Sequence, residues 1–316
     1  MRRFPRALAR LLLPTAALVV AAAVQAASLI PENYTCPVDG TAVEALIPVA
    51  TNALGGTDSD FCQYAKGSQA RENEVITCPS CYYSARLGRF GQPLTDTQRE
   101  KLLAMLGTAT AGFPAAERLE PWDRYQLAVL CAGVLDESAL ERAHLLHTAA
   151  WTARDRVVGF LPGIDGPLDV RMKLDELDEQ WLSIPDLLTQ QRGLFLLIQL
   201  AHRGGFTVRR DAYLDRLGDL APVPAELTEL QAQTRELITI EDRFLGKAIL
   251  HYEAALKADE GTPEDKLQVR YLIVDLKRRL GETQGLREEI NLLVTDANVP
   301  EDLHPAIKSM KECLTE

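Results

Sequence analysis

Leu194-Phe-Leu-Leu-Ile-Gln-Leu-Ala-His-Arg-Gly-Gly205 and Tyr271-Leu-Ile-Val-Asp-Leu-Lys-Arg-Arg-Leu-Gly281 decide the fold. Each shows an apolar face at helical spacing, a basic pair and a glycine stop, and each is followed by a second amphipathic stretch. Helix signals fill the chain beyond residue 93. Thr95 with Gln98 reads as a capping box, Pro121 as a first helical residue, and Ser138 with Glu141 as the opening of a helix to about Arg156. Asp186 caps Leu187 to Arg203, Pro224 begins a run through Ala258, and Thr262-Pro263-Glu264-Asp265 starts another that ends at Gly281. Short turns between such helices make neighbours antiparallel.

Ala248-Ile-Leu-His-Tyr-Glu-Ala-Ala-Leu256 has the small-residue and aromatic spacing of the second helix of a tetratricopeptide repeat, and Tyr125 to Arg154 shares it through Ala143, Ala149, Ala150 and Trp151. Small residues let two helices approach closely, and an aromatic fills the gap to the next pair. The fold class expected is mainly α, a tetratricopeptide-like antiparallel helical array over 93–316. A small β-containing module precedes it over 27–92, where Gly, Pro, Ser and Asn punctuate short extended runs at Val43 to Ala50 and Glu74 to Thr77.

That module carries Cys36-Pro37-Val38-Asp39-Gly40 and Cys78-Pro79-Ser80-Cys81-Tyr82. A Cys-Pro-x-Cys-Gly turn aims two thiolates at one spot, and two such turns facing each other make a tetrahedral zinc cage, here with a carboxylate for one sulfur. Cys36, Cys78 and Cys81 are the expected thiolate ligands. The fourth is Cys62 from the intervening loop or Asp39 in place, with Cys62 favoured because closed structural sites use Cys or His. The expected cofactor is structural zinc. In an oxidising compartment the same thiols can instead close disulfides, Cys36 with Cys62 and Cys78 with Cys81, and a labile Cys-x-x-Cys bridge leaves a redox role open. Cys131, within an apolar run, reads as a buried small residue.

The start of the chain reads as an export signal over 1–26. Arg2, Arg3, Arg6 and Arg10 precede the apolar Leu11 to Val24, and Val24-Gln25-Ala26 offers a cleavage site before Ala27. The expected location is periplasmic or secreted, with no stable membrane anchor after cleavage, because a 14-residue run with Pro14 inside is short for a bilayer span. Loss of four arginines takes the net charge from −11 to −15, which excludes a nucleic-acid partner, since counterion release needs a basic patch.

Thr51-Asn-Ala-Leu-Gly-Gly-Thr-Asp-Ser-Asp-Phe61, set between the two cysteine turns, resembles a bacterial family of unknown function that joins a zinc-ribbon-like start to a tetratricopeptide-like helical region. Glu141-Arg142-Ala143, Ala150-Trp151 and Arg154 agree with it, so the likeness spans most of the mature chain. The resemblance implies zinc, but this sequence departs from the family at two ligand-bearing turns: Asp39 stands for a cysteine and Tyr82 for a glycine.

Other chemistry weighs less. Glu141, His144 and His147 have carboxylate-bridged metal spacing but no matching second helix, and read as helix-surface or groove residues. Asp58 and Asp60 read as loop carboxylates bonding local backbone rather than as calcium ligands. The acidic run Asp169 to Glu179 reads as the solvated side of a helix with Met172, Leu174, Leu177 and Trp181 inward. The function expected is an exported interaction or scaffold protein that holds a protein or peptide in its helical groove. The competing class is a thiol-disulfide redox factor or metal-dependent enzyme acting through Cys78 and Cys81.

Overall fold

The computed structural model describes residues 28–313 apart from 183, 221–223, 283, 297–298, 300 and 302. The export-signal reading of 1–26 lies outside them. Two antiparallel hairpins come first, β1 (Ser28–Thr35) with β2 (Ala42–Ala50) and β3 (Val75–Thr77) with β4 (Ser84–Arg86). Thr35 pairs with Ala42, and Thr77 with Ser84, so each cysteine turn is the tip of a hairpin. The β2 and β3 runs are those expected; β1, too polar and proline-broken to alternate cleanly, pairs with β2 because the 36–41 turn folds it back.

Helices dominate the chain beyond the second hairpin. After the single turn α1 (Leu87–Phe90), α2 (Asp96–Ala109) begins at a Thr95–Gln98 capping box and α3 (Pro121–Val134) has its proline in the first turn. In α4 (Ala139–Val158) the Ser138 side chain accepts the Glu141 amide, and in α6 (Leu187–Gly204) Asp186 accepts that of Thr189. Gly205 then stops α6 in the left-handed region at φ 69°, a conformation that costs glycine nothing. The others are α5 (Pro167–Leu182), α7 (Thr207–Asp219), α8 (Ala225–Lys257), α9 (Pro263–Arg279, from a Thr262–Asp265 capping box), α10 (Leu286–Thr295) and α11 (His304–Cys313). The ends of α3, α4, α6, α8 and α9 follow local chemistry and fall within two residues of those read from sequence. The molecule is mainly α with a small β module. Among the described residues no helix is long and apolar enough to cross a membrane.

Helix α8, at 33 residues roughly 50 Å long, is the spine, with α4 along it and α9 beside it. Ala143, Ala150 and Ala153 of α4 and Ala248 and Ala255 of α8 are buried, and the bulk between them is supplied by Phe244 and Tyr252, neither exposed. A second core joins α5, α6 and α7 with the end of α4, and a third lies beneath the cysteine turns against α2 and α3. Residues before 93 enter all three. Val75 belongs to the first, Cys62 and Tyr64 to the second, and Cys36, Val38, Ile76 and Cys78 to the third, where Cys131 is buried as expected.

Helix α5 corrects one detail of the sequence reading. Leu174 and Leu177 are buried and Trp181 packs on the second core, but Met172 is 71% exposed and Val170 takes the inward place. Residues 170, 174, 177 and 181 share one helical face; position 172 lies nearly opposite 174.

Candidate metal centre

The two hairpin tips are built alike. Cys36 N donates to Thr41 O at 2.8 Å and Gly40 N to Cys36 O at 3.0 Å; Cys78 N donates to Tyr83 O at 2.8 Å and Tyr82 N to Cys78 O at 3.0 Å. Both turns need a left-handed residue at their fifth position. Gly40 supplies it at φ 78° and Tyr82 at φ 63°, so the tyrosine holds the glycine geometry at a backbone cost of about 1–2 kcal/mol. The Tyr82 hydroxyl reaches Pro114 O at 3.2 Å, an anchor that glycine cannot make.

The tips bring one ligand atom each from Cys36, Asp39, Cys78 and Cys81 within 4.8 Å of one another. Cys36 Sγ lies 3.6 Å from Cys81 Sγ, and Cys78 Sγ lies 3.6 and 3.7 Å from the Asp39 carboxylate oxygens. Tetrahedral zinc with bonds to sulfur of about 2.3 Å has sulfur–sulfur edges of about 3.8 Å, so the spacing fits an ion at the centre. It is too long for a disulfide, and Cys36, Cys62, Cys78, Cys81 and Cys131 are all unbridged.

Asp39 is oriented before any ligand arrives. Thr41 N donates to its Oδ1 at 3.0 Å. Burial opposes its ionisation, but hydrogen bonds from Thr41, Ser80 and Cys36 outweigh that and hold the carboxyl well below the usual range. Hydrogen bonds from Cys36 and then Cys81 pull the Cys78 thiol down to about 3. The bond with Cys78 is the largest influence raising Cys36, to about 12, and bonds with Cys36 and Cys78 raise Cys81 further. One thiolate, at Cys78, is thus held by the two neighbouring thiols beside the ionised Asp39, and a bound cation would favour release of the remaining thiol protons.

Cys62, favoured from sequence as the fourth ligand, is not in this group. It is fully buried in the second core beside Tyr64, and burial pushes its thiol up. The 51–74 loop, instead of returning to the hairpin tips, carries Cys62 into the helices, which also separates it from the disulfide partner considered for it, Cys36.

That loop holds what the sequence reading missed. Asp58, Ser59 and Asp60 are buried at the centre of the helical region, where Arg154, Arg203, Arg278 and Arg279 meet them together with Glu241 and Asp275. Arg154 donates to Asp60 Oδ1 at 3.0 Å and Oδ2 at 2.8 Å, and to Glu241 Oε1 at 2.7 Å. Arg203 donates to Asp58 Oδ1 at 2.9 Å with its guanidinium 4.3 Å over the Tyr64 ring. Arg278 and Arg279 both donate to Ser59 Oγ and to Asp275. Four guanidinium groups face four carboxylates, so the centre is close to neutral. Asp60 does accept the Cys62 amide of its own loop at 3.4 Å, as read from sequence, but both Asp58 and Asp60 are in addition partners of distant arginines, which the sequence reading did not foresee.

His147 is likewise no surface residue. Only 2% exposed, it has Nε2 3.2 Å from Asp60 Oδ2 and Nδ1 3.2 Å from the Tyr252 hydroxyl, while Trp151 Nε1 donates to the same Asp60 oxygen at 2.9 Å. The signal was present in the sequence: 143, 147, 150 and 154 form one stripe of α4, so the alanines that mark the inward face also mark His147 and Arg154. The basic pairs His202-Arg203 and Arg278-Arg279 end their helices where cations suit the dipole, which disguised their inward role.

Residues 29–157 match the family described as an uncharacterized protein conserved in bacteria (DUF2225). The chain is thus similar, over both cysteine turns, the Asp58–Phe61 segment and α4 up to Val157, to a bacterial family of unknown function. No curated protein and no solved structure matches it.

Proposed function

We propose that this chain is an exported, non-catalytic interaction protein whose front end is folded around a structural zinc ion held by Cys36, Asp39, Cys78 and Cys81. The observation that carries the reading is the convergence of four ligand atoms, all within 4.8 Å of one another, from two equivalent hairpin tips, with the carboxylate already fixed by the Thr41 amide. Zinc bound there would cross-link the two hairpins. The hairpins are two-stranded, an arrangement of marginal stability without further support. Metal-binding free energy is then folding free energy for the ribbon.

The tetratricopeptide-like array supplies the binding surface in this reading. Its centre is filled by the chain's own Asp58–Phe61 segment, so a partner uses the surfaces that this loop leaves open. The net charge favours neutral or basic partners over nucleic acid.

The test is to recover the protein from the exported fraction without chelator and determine its N-terminus, zinc content and melting temperature. One zinc per chain, an N-terminus at Ala27 and a clear loss of melting temperature on chelation are expected. A metal-free protein of full stability with a reducible Cys78–Cys81 bridge would replace this reading with the redox class.

A further inference from the structure

Between the 51–74 loop and helices α4, α8 and α9 lies a cleft of about 380 Å³, within the size range of small-molecule sites. None of Cys36, Asp39, Cys78 and Cys81 lines it. Its apolar wall is made by Phe61, Trp151, Tyr252 and Leu272, with the His147 ring 4.5 Å from that of Trp151.

Most polar groups of the lining are already spent. Asp60 is held by Arg154, Trp151 and His147, and Arg71 is bound by both oxygens of Asp155. One cation and one anion keep capacity. Arg86 Nε is buried without a hydrogen-bond partner and stands 3.4 Å from Glu141 Oε1, off the geometry of a hydrogen bond. Glu74 takes only a long 3.4 Å contact from the Tyr125 hydroxyl. The two are neighbours: Val75 pairs with Arg86 across the β3–β4 hairpin and Leu87 N donates to Glu74 O at 3.0 Å, yet no ion pair joins the side chains.

Arg86, held only by a long ion pair to Glu141 and with its Nε lacking a hydrogen bond, and Glu74, with a single long hydrogen bond, set opposite charges side by side against an aromatic wall. We propose that the cleft binds a free α-amino acid with an apolar or aromatic side chain, its carboxylate on Arg86, its ammonium on Glu74 and its side chain against Phe61 and Trp151. The body is desolvated against the wall, while each charge of the zwitterion meets a group that now lacks a full partner. Gln63 and Gln268 at the rim, both exposed, leave the entrance polar. The proposal rests on reading the chain as a binding protein and is independent of the metal.

The test is calorimetric and fluorescence titration of the full mature chain with phenylalanine and leucine, beside N-acetylphenylalanine and phenylalaninamide. Trp151 lies in the wall, so its emission reports occupancy. Binding of at least one free amino acid is expected, weakened about tenfold or more by blocking either charge and by Glu74→Gln or Arg86→Gln. Absence of binding by the free amino acids at millimolar concentration, or equal binding of the blocked forms, would overturn the proposal whether or not the variants fold. Zinc content measured on the same preparation separates this failure from that of the metal-folded reading.

Discussion

Arg154 and Asp60, 94 residues apart, meet through two hydrogen bonds of 3.0 and 2.8 Å with neither side chain exposed to solvent. The pair ties the loop between the hairpins to the middle of α4. With Glu241 on the far side of the guanidinium, it also ties that loop to α8.

Asp60→Ala removes the carboxylate and leaves Arg154, itself fully buried, short of a counter-charge. Breaking a buried pair from one side costs about 3–5 kcal/mol. Urea unfolding should show that loss, while zinc content stays unchanged because the ligands lie on other residues. A loss under about 1 kcal/mol would mean the network is replaceable.

Gly56→Ala is expected to be among the most damaging single-methyl changes. Gly56 sits at φ 76°, and an added Cβ would stand 2.4 Å from Ile164 O and 2.6 Å from the Asp165 backbone, atoms that cannot swing aside. Left-handed strain and overpacking together cost about 2–5 kcal/mol. Thermal unfolding of this variant against Gly40→Ala, which meets nothing within 4 Å, isolates the steric part.

Acid should destabilise the fold in two stages. Burial, then the charges of Arg86 and His147, push His144 down to about 4, and burial likewise lowers His202 against the pull of Glu241. Groups with depressed values contribute fully above their ordinary value of 6.5 and lose that contribution as pH falls towards the folded value. Burial of Glu241 opposes ionisation, yet Arg154 and His202 hold its carboxyl at about 2, so its share is lost between its ordinary 4.5 and about 2. The melting temperature should be level above about pH 7, fall gently from about 6.5 and fall steeply below about 4.5. His144→Gln should flatten the upper part of that curve.

Asp39→Cys should tighten metal binding, because a fourth thiolate is a softer ligand than carboxylate and the site is already spaced for sulfur. Competition against a chromophoric chelator would measure it. Cys62→Ser should leave zinc content unaltered, since Cys62 lies in the second core.

Helix ends were legible in the sequence because caps are local: Thr95 with Gln98, Ser138 with Glu141 and Thr262 with Asp265 each lie within one turn. Cys36, Cys78 and Cys81 were legible for the same reason, each turn declaring its own geometry. Cys62 against Asp39 was not, because that choice depends on where the 51–74 loop travels. The loop is drawn into the helices by Arg154, Arg203, Arg278 and Arg279, residues far along the chain that look solvated when read alone. Helical phase with the alanines of α4 marks Arg154 as inward once it is looked for, but its partner could be known only once the loop was in place.

The most direct test of the central claim is zinc-edge X-ray absorption of the protein purified without chelator. The account predicts one zinc per chain with three sulfurs at about 2.3 Å and one oxygen at about 2.0 Å, changing to four sulfurs in Asp39→Cys. Four sulfurs in the unaltered protein, or no stoichiometric zinc, would contradict it.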